Sequence, residues 1–591
     1  MNYDLTSDMS SNPGVRRPND FNLMMREFDR EIRGSLGILL GGQSPWAALQ
    51  AWEDWAFHLM LSRGRQIELC ELASEAASSL YLALLDSEAS YRLFKSNHED
   101  RRFRDPSWHR PPFNLLAQAQ LAAEAQWHTA TRDVPGMARH HARRVDFLGS
   151  LMLNALAPVN FSWTNPKVLE AIWRTAGANF ALGASLFAED LVRLARGEKL
   201  KGLEDFRIGQ NVAATKGEVV FRNELMELIQ YAPTTPQVHE EPVLIVPAWI
   251  MKYYILDLNT THSLVRYLVD QGFTVFIISW KNPGPELKDT PFDDYRSKGV
   301  MTAVDMIGRI APGKKLHAVG YCLGGTVLAI AAAAMDRDHD DRLASLSLLA
   351  AQTDFEEAGE LMLFIDESQV SLLEDMMHVQ GYLDTRQMAA AFHILRANEL
   401  IFSQFVERYL LGEPHAPTDL DAWLADPTRM PARMHSEYLR QLFLDNNFSH
   451  GNYQVDGRAV ALKDIHTSIF ALGAESDHIA PWRSVHKIEL YSSADTVFVL
   501  TGGGHNSSVV SPPGKVGAYY RVSTCETSDK YVDPDTWLDS APLRQGSWWP
   551  EWLSWLEAHS SSARVAPPSL RNADRGLPSY GPAPGSYVFA A

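Results

Sequence analysis

A chain of 591 residues is longer than one ordinary core accommodates, so two or three structural units are expected. With 46% hydrophobic and 10% aromatic residues it can bury a large interior, which excludes a chain disordered overall. A formal net charge of −18 excludes the broad basic face of a nucleic-acid binder, though not a local basic pocket for a small anionic substrate.

The three cysteines are Cys70, Cys322 and Cys525. An odd number at wide spacing suggests neither a disulfide framework nor a zinc site, so no metal is expected. Residues 1–20 are polar and carry Pro13, Arg16, Arg17 and Pro18; they read as a flexible arm without the apolar core of a signal peptide. The longest apolar run follows Cys322 and is too short for a bilayer, so no transmembrane segment is expected. The chain reads as a cytoplasmic protein, in a compartment that keeps thiols reduced.

From Phe21 to about Leu200 the text is helical. Trp46 to Leu61, Glu68 to Leu85, Leu115 to Thr131 and Ala138 to Leu156 carry apolar residues at three- and four-residue spacing. Pro106, Pro111, Pro112, Pro135 and Pro158 punctuate them. Thr164-Asn165-Pro166 predicts a cap and a first-turn proline, opening a helix that runs through Ala184. Residues 21–200 hold no catalytic constellation and read as a separate helical domain for dimerisation or docking.

The pattern changes over 201–353. Glu218 to Phe221 and Glu224 to Tyr231 resemble a hairpin around Arg222-Asn223. Val243 to Val246, Phe273 to Ser279, Leu316 to Val319 and Leu346 to Ala350 are apolar strands. Leu264 to Gln271, Val300 to Ile310 and Val327 to Met335 are helices between them. Continuous apolar strands alternating with helices predict a mostly parallel sheet covered on both faces, an α/β core. Residues 354–462 turn helical, rich in Met and aromatics, and read as an inserted cap that shapes a pocket. Strands resume over 463–560, at Ser468 to Leu472 and Thr496 to Leu500. Residues 561–591, rich in Ser, Pro, Gly and Ala, read as a tail or a surface strap.

The chemistry centres on Gly320-Tyr321-Cys322-Leu323-Gly324-Gly325-Thr326. An apolar strand, a Gly-x-Cys-x-Gly-Gly turn and a small-residue helix make the setting of a nucleophile elbow with cysteine in place of serine. Gly320, Gly324 and Gly325 serve the strained turn. The following helix presents its positive end, which favours a thiolate at Cys322. Two partners sit past later strands: Asp477 in Ser476-Asp477-His478-Ile479, and His505 in Gly503-Gly504-His505-Asn506. Nucleophile, acid, histidine is the chain order of α/β-hydrolase triads. His505 would take the thiol proton and Asp477 would hold the imidazole in the useful tautomer. The backbone N–H of Leu323, with one from the Ala248–Trp249 turn, would form the oxyanion hole. His478 remains an alternative base and Asp257 an alternative acid. A thioester acyl-enzyme stays activated, which favours transfer to an alcohol over hydrolysis.

With these residues in place, the chain resembles the class I polyhydroxyalkanoate synthases of the α/β-hydrolase superfamily, from about Leu151 to Trp555. The most specific pieces are the cysteine motif, Lys252-Tyr253-Tyr254-Ile255-Leu256-Asp257-Leu258, Ser279-Trp280-Lys281-Asn282-Pro283, Asp477-His478-Ile479-Ala480-Pro481-Trp482 and Gly546-Ser547-Trp548-Trp549-Pro550. The resemblance implies polymerisation of (R)-3-hydroxyacyl-CoA into a polyester with release of CoA. It implies that Cys322 carries the growing chain, that His505 is the general base and that Asp477 assists hydroxyl activation. It also implies a homodimer on cytoplasmic polyester granules, with no cofactor beyond the CoA of the substrate. Two departures stand out: Glu399 and Phe402 replace the usual Asp and Trp, and Asn506-Ser507-Ser508 adds polar groups beside the base that would alter monomer fit or admit water. A cysteine-nucleophile thioesterase or polyester hydrolase, and a catalytically silent granule scaffold, are the rival readings.

Overall fold

The computed structural model describes residues 20–85, 102–570, 574, 576 and 578–590. The predicted arm lies outside the described residues, except for Asp20, which opens the helix Asp20–Leu39.

Ten strands form the central sheet: β1 (Gly217–Arg222), β2 (Met226–Tyr231), β3 (Val243–Val246), β4 (Val275–Trp280), β5 (Leu316–Tyr321), β6 (Leu343–Leu349), β7 (Ile469–Ala474), β8 (Thr496–Thr501), β9 (Tyr519–Cys525) and β10 (Leu543–Gln545). Their spatial order is β1-β2-β4-β3-β5-β6-β7-β8-β9-β10. Pairings from β4 through β8 are parallel, and both edges are finished by antiparallel strands. Alternate residues of each strand feed two cores: Leu244, Val246, Phe276 and Ile278 on one face, Val243, Ile245, Val275 and Ile277 on the other. Burial on both faces is why these strands are continuous apolar runs rather than alternating ones. The helix Leu323–Arg337 is buried from Gly324 through Met335, and its glycines and alanines let it lie close to the sheet.

The insertion between β6 and β7 is less uniformly helical than its composition predicts. The ribbon Tyr453–Val455 with Arg458–Val460 turns on Asp456-Gly457, both at positive φ, a hairpin turn that Asp-Gly favours. Three turns in it, Asn398–Phe402, Phe405–Leu410 and Leu439–Leu444, are π-helical.

The predicted helix from Pro166 through Ala184 is two helices, Pro166–Thr175 and Ala178–Ala195. Ala176 at φ 51° and Gly177 at φ 83° break it. The second helix turns away to press against the insertion, where a Cβ on Gly183 would lie 2.6 Å from the carbonyl carbon of Tyr409. Further ion pairs dock the N-terminal helices on the same insertion. Arg30 and Arg33 converge on Asp375, at 3.1 and 2.6 Å. Arg144 pairs with Asp366 and donates to Leu363 O, and Arg408 forks onto Asp190 at 2.6 and 2.8 Å.

The tail is a strap along the sheet edge. Arg564–Val565 pairs with Val238–His239, and Val219 N–H donates to Gly581 O. Further on, Ser586 and Tyr587 N–H groups both donate to the buried carboxylate of Glu227 at 2.9 Å.

Candidate active site

The elbow follows β5. Cys322 sits at φ 53°, ψ −125°, a conformation rare for a side chain with a Cβ, and caps the helix Leu323–Arg337. The strain therefore rests on the cysteine itself. Its neighbouring glycines are there for space: a Cβ on Gly320 would lie 2.8 Å from Gly325 N, and one on Gly324 would lie 2.6 Å from Pro247 O. This contact seats the elbow on the Ala248–Trp249 turn. The N–H groups of Leu323, Ala248 and Trp249 have no hydrogen-bond partner among the described residues, as an oxyanion hole requires.

The turn itself is clamped. Trp280 Nε1 donates to Pro247 O at 2.8 Å, Thr428 N–H to Ile250 O at 3.0 Å and Thr428 Oγ1 to Trp249 O. Trp423 Nε1 donates to Lys252 O at 2.7 Å, and Lys252 Nζ to Ala590 O at 2.6 Å. Insertion and strap thus both hold one loop.

His505 opens the helix His505–Val509 just past β8, and Asp477 lies just past β7. Parallel β7 and β8 end side by side, which brings the two loops together. His505 Nδ1 and Asp477 Oδ2 are 2.7 Å apart, with the Asp477 side chain fully enclosed. A carboxylate only accepts, so Nδ1 carries the proton and Nε2 is left for the sulfur. The other carboxylate oxygen accepts the N–H groups of Ile479 and Ala480, each at 2.9 Å. Burial alone would push the imidazole pKa down; the Asp477 carboxylate and the Cys322 sulfur hydrogen-bonded to it hold it well above its ordinary value.

Asp257 and His478 take no part in this pairing. Asp257 accepts Thr215 Oγ1 at 2.5 Å and Ser263 Oγ at 2.7 Å, and burial pushes its carboxyl up to about 6. A native pKa above the unfolded value means the native state holds an extra proton between about pH 4 and 6, so stability falls as pH rises through that window. Asp257→Asn is expected to flatten this slope, worth roughly 2–3 kcal/mol, in urea unfolding followed from pH 4 to 7. His478 is part-exposed, 3.7 Å from Glu360, and lines a cavity of about 1190 Å³ between the N-terminal helices and the insertion.

The two departures occupy defined places. Glu399 pairs with Arg396 at 3.2 Å on that cavity, and Phe402 lies on a π-helical turn. Asn506 Oδ1 accepts Tyr321 OH at 2.6 Å, Ser507 Oγ accepts Gly504 N–H at 3.3 Å and Ser508 Oγ donates to His505 O at 3.2 Å. All three are thus engaged in shaping the loop that carries the histidine. Sequence reasoning also missed Tyr438, which the insertion brings near Cys322; burial first, then the cysteine charge, raises its pKa well above the ordinary phenol value. Nothing local in the text marks it.

The profile described as "Poly-beta-hydroxybutyrate polymerase (PhaC) N-terminus" matches residues 99–268, that of the polymerase N terminus matches 24–65, and that of the alpha/beta hydrolase fold matches 241–512. Poly(3-hydroxyalkanoate) polymerase of Methylorubrum extorquens is 40% identical over 83% of this chain and 80% of its own length. The polymerase subunit PhaC of Rhizobium meliloti is 38% identical over 83% of this chain and 79% of its own. That of Cupriavidus necator is 34% identical over 83% of both.

Proposed function

Since this chain belongs to the poly(3-hydroxyalkanoate) polymerases, acyl-transferring enzymes on an α/β-hydrolase fold, we propose that it polymerises (R)-3-hydroxyacyl-CoA through a thioester on Cys322. The observation that carries this reading is the 2.7 Å pairing of His505 with Asp477 beside the Cys322 elbow. His505 removes the thiol proton, and the Cys322 sulfur attacks the thioester carbonyl of the substrate. The oxyanion of the tetrahedral intermediate is received by the N–H groups of Leu323 and the Ala248–Trp249 turn. Collapse breaks the bond to CoA, which leaves as the thiol with the proton from His505. The acyl group now rests on Cys322. In the second half-reaction His505 takes the proton of a 3-hydroxyl group, that oxygen attacks the acyl-cysteine, and a new ester bond forms as the sulfur departs. The reading calls for no cofactor beyond the CoA of the substrate.

Exposed Phe21, Met24, Phe28 and Ile32 on Asp20–Leu39, and Trp173 at 87% exposure, support seats for a second copy and for a polyester granule on the N-terminal helices. Among the described residues no helix is long and apolar enough to cross a membrane.

The test is incubation with (R)-3-hydroxybutyryl-CoA, reading CoA with a thiol reagent and the product as insoluble polymer or free acid. CoA release with polymer is expected. Release with soluble 3-hydroxybutyrate alone would replace the polymerase reading with a thioesterase.

A further inference from the structure

The helix carrying His505 is only His505–Val509, too short to hold itself. Beyond the bonding inside this single turn, its ends are closed by Ser508 N–H to Gly504 O at 3.0 Å and Val510 N–H to Asn506 O at 3.1 Å. The remaining carbonyls, which a helix end leaves open, are met mainly by side chains from outside. Trp548 Nε1 donates to Ser508 O at 2.9 Å, and Trp549 Nε1 to Val509 O at 3.0 Å. Lys515 Nζ donates to Ser507 O at 2.6 Å and to Val510 O at 3.2 Å. One residue earlier in the same turn, Ser547 Oγ donates to Ser511 O and accepts Trp549 N–H.

Both indoles are locked. Trp548 and Trp549 are 0% and 1% exposed and belong to the core on one face of the sheet. Their N–H groups are therefore fixed points, and the helix takes its position from that core rather than from its own backbone.

We propose that Trp548 and Trp549 are positioning residues for His505, their paired indole N–H groups setting where the short helix holds the imidazole against Cys322. This rests on His505 being the base that serves Cys322. A shift of the helix along its axis would leave the His505–Asp477 pair intact as a unit only if both loops moved together. Asp477 is held separately by the N–H groups of Ile479 and Ala480, so helix drift lengthens both the His505–Asp477 pair and the approach to the sulfur.

The control lies on the helix Trp549–Ala558, which Trp548 caps. Trp552 is also fully buried, but its Nε1 donates to Ser347 Oγ on β6 at 2.9 Å, away from the histidine helix. Trp548→Phe, Trp549→Phe and Trp552→Phe each remove one buried N–H and keep an aromatic ring. Lys515→Met removes an anchor from an exposed position, without touching the core. Three readouts are taken: the melting temperature; kcat and KM for CoA release from (R)-3-hydroxybutyryl-CoA; and the rate at which iodoacetamide alkylates Cys322 at pH 7, followed on the Cys322 peptide. His505→Ala is run alongside.

Trp548→Phe and Trp549→Phe are expected to lower kcat roughly ten- to hundredfold with KM within about twofold, and to slow alkylation in parallel. Lys515→Met is expected to do the same more weakly, and Trp552→Phe to lose melting temperature but keep kcat within about twofold. The proposal is overturned if Trp548→Phe and Trp549→Phe track Trp552→Phe at equal stability loss. If a tryptophan variant does not fold, unchanged kcat and alkylation in Lys515→Met overturn it. Unslowed alkylation in His505→Ala would instead remove the base reading itself.

Discussion

Cys322→Ala is expected to release no measurable CoA from (R)-3-hydroxybutyryl-CoA while melting close to the unsubstituted protein. Alanine keeps the Cβ that the φ 53° position already tolerates, so the elbow is not remodelled. What disappears is the sulfur proposed to accept the acyl group, and the loss should be on the order of 10⁴-fold or more. His505→Ala should fall by a comparable factor, because a thiol without its base is a weak nucleophile near neutral pH. Combining the two should cost little beyond either alone, since groups acting as one unit are not additive. Stopped assays for free thiol and for polymer check all three. Residual CoA release in Cys322→Ala within tenfold of the parent protein would move the reaction to another residue.

Gly324→Ala is expected to damage stability and rate together. The added methyl would lie 2.6 Å from Pro247 O and closer still to Val246 O, both backbone atoms with no side chain to swing aside. Either the elbow or the Ala248–Trp249 turn must move. Moving the turn works against Trp280, Thr428 and Lys252, which hold it from three directions. We expect a loss of about 3 kcal/mol or more in urea unfolding, from overpacking against fixed backbone. In whatever fraction folds, kcat should fall on the order of 10²-fold through misplaced oxyanion donors. Gly308→Ala, with open space around its Cβ position on the helix Thr302–Ile310, is the control and should leave kcat unchanged and stability equal or slightly raised.

The parts of the fold that were legible are those a short window encodes. The parallel strands announce themselves because burial on both faces makes them unbroken apolar runs, and Cys322, Asp477 and His505 each follow such a run. Asp477 and Asp257 look alike in the text. Only the register that ends β7 beside β8 shows which carboxylate meets His505, and that is a property of paired strands. The break at Ala176-Gly177 was hidden because alanine carries no mark of a left-handed conformation, and the helix beyond it packs through Gly183 on Tyr409, far along the chain. Asp456-Gly457 did carry a readable turn signal, masked by the helical composition around it. The roles of Trp548 and Trp549 were out of reach, because tryptophans read as core and their N–H groups matter only once the histidine helix is in place.

The docking of the N-terminal helices on the insertion has a consequence for how the protein is made. Arg30 waits for Asp375, 345 residues downstream. At ribosomal speeds of 5–20 residues per second, that partner emerges about 17–70 s later. Throughout that interval the helix Asp20–Leu39 lacks the surface on which Gly34 and Gly37 pack, the stretch carrying Leu372, Asp375 and Met376. Apolar surface left open in this way exposes a growing chain to association with its neighbours until the insertion has been made. Yield on overexpression is therefore expected to depend on elongation speed over the first 375 codons as well as on the stability of the completed fold.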